Sequence, residues 1–156
     1  MTERHRDGYV MSTDPDRVDL DRVHAWLADE SYWAAGRERV IVERSIAGSR
    51  PYSVFAGGRQ VAFARVVTDG ATFGWICDVF VDVEHRGHGL GSWLVDSIVT
   101  DLKAIGVQRL VLATRDAHEV YRRSGFVPLD GAGRWMEIDE RPTRAAASDH
   151  DGSAGL

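Results

Sequence analysis

The hydrophobic pattern changes period several times along the chain, and each change marks an element. Residues 1–8 are polar and charged with little to bury, so the chain is expected to fray there. Residues 9–12 form a short apolar run, read as a first strand, and Thr13-Asp14-Pro15-Asp16 reads as a turn. Residues 19–29 take the helical period: Leu20, Val23 and Leu27 share one face with Trp26, and Asp19 suits the N-cap. The pattern breaks over 30–36, a loop carrying Tyr32 and Trp33, and a second helix is read over 38–46. Runs at 52–56 and 60–68 flank Gly57-Gly58, a two-residue hairpin signal. After Asp69-Gly70, residues 73–82 read as a central strand covered on both sides. One face carries Phe73, Trp75, Cys77, Val79 and Val81; the other carries Ile76, Asp78 and Phe80. From Ser92 the helical period returns in Leu94, Val95, Ile98, Leu102 and Ile105, and Gly106 closes it. Residues 108–114 read as the next strand, and strand, helix, strand implies a right-handed crossover between parallel strands. Asp116-Ala117-His118-Glu119 resembles a capping box opening a short helix over 117–124. A hairpin of 126–129 and 134–138 is expected to finish the sheet.

Between the central strand and its helix lies Arg86-Gly87-His88-Gly89-Leu90-Gly91. Alternating glycines give access to positive φ, and successive backbone N–H groups can then line one concavity that suits an anion. The free N–H groups and dipole of the following helix face the same place, and Arg86 adds a full charge, so a phosphate or pyrophosphate is the simplest ligand. Ser92-Trp93 replaces the Lys-Ser/Thr pair of a P-loop. The glycine spacing also departs from the dinucleotide fingerprint. An Arg-x-x-Gly-x-Gly pattern does fit, through Arg86, Gly89 and Gly91.

With Asp78-Val79-Phe80-Val81 entering this loop, and Ala117-His118-Glu119-Val120-Tyr121-Arg122-Arg123-Ser124-Gly125-Phe126 beyond it, the chain resembles the GNAT acetyltransferase superfamily. The likeness covers residues 9–138 and is sharpest between Asp78 and Phe126. It implies an α/β fold, a mixed sheet of about six to seven strands flanked by about four helices, in one domain over 1–140. It implies acetyl-CoA as donor substrate, with Gly87, His88, Gly89, Leu90, Gly91 and Ser92 joining Arg86 around the pyrophosphate. Main-chain groups of Phe80 and Val81, where the central strand splays from its parallel neighbour, would bond pantetheine and the thioester oxygen, a small oxyanion hole. Many relatives carry Asn where this chain has Thr114; a hydroxyl can still hydrogen-bond the cofactor there. Edge-strand dimers recur in the superfamily, so a homodimer is among the implied states.

Acetyl transfer to an amine needs a neutral nucleophile, a polarised carbonyl and a proton for the departing thiolate. Tyr121 is the candidate acid, placed near the CoA sulfur by the resemblance; the alternative is a core aromatic packed on Phe126. Asp78 is the carboxylate inside an apolar strand. Two readings stand: a base acting through water or holding the amine, or a buried Asp paired to an Arg or to backbone N–H groups. Asp82 and Glu84 read as solvated. Tyr32 and Trp33 are candidates to flank the acceptor, against simple packing on the first helix. His85 and His88 lack a third ligand at recognisable spacing, so no metal is expected. Cys77 reads as a buried structural thiol.

Composition narrows the picture. The 156 residues, 44% hydrophobic, suit one core, and a formal charge of −5 disfavours nucleic acid while weakly favouring a cationic amine. A lone Cys77 forms no intrachain disulfide. A charged start without an apolar h-region, and no long apolar run, point to a cytoplasmic protein off the membrane. Residues 141–156 hold almost nothing to bury and are expected to be a disordered tail. The expected activity is N-acetylation of a small-molecule primary amine. Its rivals are a protein or peptide amine as acceptor, and a non-catalytic acyl-CoA sensor.

Overall fold

The computed structural model of the chain describes residues 1–142. Six strands form one sheet in sequence order. They are β1 (Glu3–Arg6), β2 (Tyr9–Ser12), β3 (Arg50–Ala56), β4 (Arg59–Thr68), β5 (Gly74–Val81) and β6 (Leu110–Val111). All neighbours are antiparallel except β5 and β6, which run parallel. Helices α1 (Leu20–Ala25) and α2 (Arg39–Ala47), with the turn that follows α1, cover one face with Val23, Trp26, Leu27, Val42 and Ile46 against Phe63 and Phe80. Helix α3 (Leu90–Ala104) covers the other, seating Leu94, Val95, Ile98 and Leu102 on Val66, Ile76, Val79 and Val81. Short α4 (His118–Arg123) follows β6.

Local chemistry explains most of these elements. Asp19 caps α1 by accepting from the Arg22 N–H at 3.0 Å. Gly57 and Gly58 take φ of 55° and 82° and close the β3–β4 hairpin as expected. In the β4–β5 turn the Asp69 carboxylate accepts from the backbone N–H groups of Ala71, Thr72 and Phe73. Gly74 is required by close approach: a Cβ there would sit 2.6 Å from Leu110 Cδ2 and 2.8 Å from Leu102 Cδ1.

Several expectations are corrected. The amino terminus is not frayed: Asp7 and Gly8, both at positive φ, turn β1 back onto β2. Arg4 then pairs with Asp101 of α3, which a local reading of eight polar residues cannot foresee. The first helix does not run regularly to Asp29; it widens into a π turn over Trp26–Glu30. The strand expected over 108–114 pairs only at Leu110 and Val111. No side chain caps α4; the Ala117 N–H donates instead to Thr114 Oγ1 at 3.0 Å, so the capping box is not formed. The final hairpin is absent too: 126–142 hold one 3-10 turn, Ala132–Arg134. Since β6 offers so short a ladder, this segment docks through Trp135, which packs near Phe73 and under Arg109. The tail expected over 141–156 lies, from residue 143 on, outside the described residues.

Candidate functional site

The site grows from a defect in β5. Opposite the step from Phe63 to Arg65 in β4, β5 advances from Cys77 to Phe80, one residue more. Asp78 takes up the excess with φ of 52°, a left-handed conformation that Asp tolerates better than most residues. The bulge breaks the expected alternation. Val79 and Val81 share the α3 face with Ile76, while Phe80 turns to α1 and stacks on Trp26 at 5.4 Å. Cys77 is therefore parted from Val79 and Val81, which the period-2 reading put on its face.

At the same point β5 loses its second neighbour. It pairs with β6 only at Gly74 and Trp75, so beyond Trp75 its β6-side edge has no strand partner. A cavity of about 200 Å³ opens in the gap. Its lining includes Tyr32, Trp33, Arg37, Arg65, Cys77, Asp78, Val79, Leu112, Thr114 and Tyr121.

Tyr121 projects from α4, is 8% exposed, and meets Phe126 edge-on at 6.1 Å. Burial, with smaller contributions from Tyr32 and Asp116, pushes its phenol pKa well above the ordinary value. No buried side-chain polar atom among the described residues lacks a partner, and the Tyr121 hydroxyl has no protein hydrogen bond, so it opens to the cavity. Tyr121 thus packs on Phe126 as a core aromatic would, while its hydroxyl faces the cavity.

Asp78 is paired. Its Oδ2 accepts from Arg65 Nε at 2.6 Å and Arg37 Nη1 at 2.9 Å, and its Oδ1 from Trp33 Nε1 at 2.9 Å. The side chain is 2% exposed. Three donors hold the carboxylate in the arrangement of the paired alternative. Trp33 also approaches Phe80 at 6.5 Å and Tyr32 at 5.1 Å. Tyr32 accepts from the Arg115 N–H and lies beneath the Arg115 guanidinium. Cys77 is half-buried on the cavity wall, and burial pushes its thiol up to about 11.

The glycine loop lies past the end of β5. Gly87 and Gly89 hold φ of 82° and 72°, and α3 begins at Leu90, with Gly91 buried in its first turn and Ser92 following. Arg86 Nε donates to Val81 O at 3.1 Å, which ties the guanidinium to the strand end beside Phe80. Arg6 of β1 joins from far away in sequence, donating to the carbonyls of His88 and Gly89 and lying over Trp93. His88 lies near Tyr9, whose hydroxyl bonds His85 Nδ1.

Sequence reasoning missed Arg6, Arg37 and Arg65. One signal was present for Arg65: like Asp78, it is a lone charge within an apolar strand, and the two strands are adjacent with opposite signs. Asp82, expected to be solvated, is buried and paired with Arg22 of α1, a partner sixty residues earlier in the chain.

Comparison with known proteins places this architecture. The sequence profile described as Acetyltransferase (GNAT) family matches residues 20–126. A protein of Gibberella zeae that carries an acetyltransferase designation is 26% identical over 140 residues, covering 76% of this chain and 78% of its own. The crystal structure of a Xanthomonas campestris pv. campestris protein, described as belonging to the GNAT family, superposes with a TM-score of 0.82. It is 38% identical and the match covers 86% of this chain and 95% of the other. A Clostridium acetobutylicum structure described with acetyl-CoA, 17% identical, shares the fold with a TM-score of 0.60 over 84% of this chain and 94% of its own. The divided strand, the glycine loop and the matched profile converge, and the chain belongs to the GNAT family of acetyltransferases.

Proposed function

We propose that this protein transfers an acetyl group from acetyl-CoA to a primary amine of a small molecule. The observation that carries the reading is the unpaired edge of β5. It runs from the glycine loop into a cavity that the Tyr121 phenol also faces. The residues fit the donor: positive-φ glycines, the N-terminus of a long helix and Arg86 suit a diphosphate, with Arg6 fixing the loop carbonyls from behind. The β6-side edge of β5 beyond Trp75 suits an extended amide-bearing arm, with the Val81 carbonyl at its end already taken by Arg86 Nε. Thr114, already an acceptor for the Ala117 N–H, keeps its hydroxyl proton for a ligand.

Acetyl-CoA supplies an activated thioester; the amine lone pair forms the new C–N bond, the C–S bond breaks, and one amine proton ends on sulfur. Tyr121 handles that proton. A phenol is protonated at neutral pH even at its ordinary pKa, and burial shifts it further the same way, so a donor is present for the departing sulfur. Full transfer from so weak an acid to an ordinary thiolate is uphill on its own. The phenol therefore acts as a relay, regaining a proton from the amine as it gives one up. Asp78 is not free to take the proton while three donors hold it. Its part is to orient Arg37, Arg65 and Trp33.

The test pairs binding with turnover. Acetyl-CoA should bind, and thiol should be released when an amine panel is supplied. Tyr121→Phe should lower kcat by about 10²-fold or more, as loss of a positioned acid does, while acetyl-CoA affinity stays within about twofold. Tight CoA binding without turnover of any small amine would overturn the proposal in favour of a sensor or a macromolecular acceptor.

A further inference from the structure

The whole chain is acidic, with a formal charge of −5, but the cavity is not. Around Asp78, two guanidiniums face one carboxylate. Arg141 also lines the cavity, and it is matched by Asp139. Arg65 and Arg37 each spend a single N–H on Asp78 and make no other side-chain hydrogen bond. A guanidinium carries five N–H groups in a planar fork. No buried side-chain polar atom among the described residues is unsatisfied, so the remaining donors lie where solvent or a ligand can reach them. Both side chains are nonetheless mostly enclosed, at 10% and 23% exposed. Here an incoming anion meets two held cations in a partly desolvated wall, the setting in which fork-to-oxyanion bonds are strong.

Resting on the acetyl-transfer reading above, we propose that the acceptor amine carries an oxyanion on the same molecule, a carboxylate or a phosphate, which docks on the free faces of Arg37 and Arg65. The amine end then points toward the Tyr121 side of the cavity. Tyr32 and Trp33 also line the cavity, which suits a compact or aromatic body. This reverses the expectation of a cationic acceptor drawn from net charge. Global charge acts at long range through screening solvent, whereas the cavity presents its own cations at contact distance.

The experiment compares matched amines on the CoA-loaded protein: tyrosine with tyramine, 4-aminobutyrate with propylamine, and O-phosphoethanolamine with ethylamine. Calorimetry reads binding, and thiol release reads kcat/KM. In at least one pair the acid-bearing member should bind and react about tenfold better, the scale of a charge-assisted hydrogen-bond pair. Which pair responds tells carboxylate from phosphate. Arg37→Gln should bring that pair to within about twofold through KM rather than kcat, and Arg37→Lys should restore part of the preference. Acid-bearing members that never bind better than their partners, in protein that binds CoA and acetylates plain amines, would overturn this inference and leave the acetyl-transfer reading standing. Failure to bind CoA at all would overturn that reading first, and this inference with it.

Discussion

Two buried carboxylates sit four residues apart on the same stretch of chain, and they are used differently. Asp82 meets one guanidinium, that of Arg22. Arg22 also donates through Nε to Gln60 O at 2.6 Å and lies over the Trp26 ring, while the other Asp82 oxygen accepts the Glu84 N–H. That pair, whose other contacts are all to protein groups, pins α1 to the end of β5. Asp78 instead draws together two guanidiniums and an indole at the wall of a cavity, and leaves most of their donors unspent. A one-to-one pair closes a seam. A two-to-one cluster that keeps surplus donors beside empty space is a binding surface held rigid by its own counter-ion.

The contrast can be broken in stages. The largest effect is expected from Asp78→Ala, which strands two mostly buried cations together. Stability should fall by about 3–5 kcal/mol, as when a buried ion pair loses one member. Urea unfolding measures it, and a loss below about 1 kcal/mol would show that solvent already satisfies both guanidiniums. Asp82→Ala should cost less, about 2 kcal/mol, because only one cation is left and the indole of Trp26 still covers it. The relative affinity for acid-bearing amines should not move, and a shift in it would blur the distinction drawn between the two sites. The smallest effect concerns Cys77, on the same cavity wall. Its thiol holds its proton to about pH 11 in the folded chain, against 9.0 for an ordinary thiol, chiefly through burial. Between those values the folded state binds the extra proton, so stability is intact below pH 9 and falls as pH rises toward 11. Cys77→Ala should remove that part of the slope, about 1 kcal/mol once solvent screening of a half-exposed group is allowed for. Thermal melts at about pH 8 and about pH 11 read the difference. An unchanged slope would mean that Cys77 is more open than the cavity geometry implies.

What could be read from the chain follows from the range of each interaction. The glycine hairpin at 57–58, the Asp19 cap, the central strand and the long helix, read from Ser92 and observed from Leu90, were legible, since each depends on neighbours in sequence. The β1 strand was not, because its arginines are satisfied by Asp101 and by the carbonyls of His88 and Gly89. The closing hairpin was expected from two runs flanking Asp130-Gly131-Ala132-Gly133 and did not form, since a strand pattern has no force without an edge to pair with. At the site, Tyr121 and the glycine loop stood out as motifs. Arg37 did not, as a lone arginine in a loop has no local signature, and Arg65 offered only its charge within an apolar strand.

The order of residues by itself determined the loop that can turn through positive φ, the periodicities of the elements and the family, because backbone preference and burial period are local properties. The tertiary structure alone decided that β5 gains a residue at Asp78, that it parts from β6 after Trp75, and that three distant side chains meet one carboxylate. Ladder register and charge neutralisation are settled between strands and loops far apart in the chain. Folding must bring those partners together before either can be satisfied.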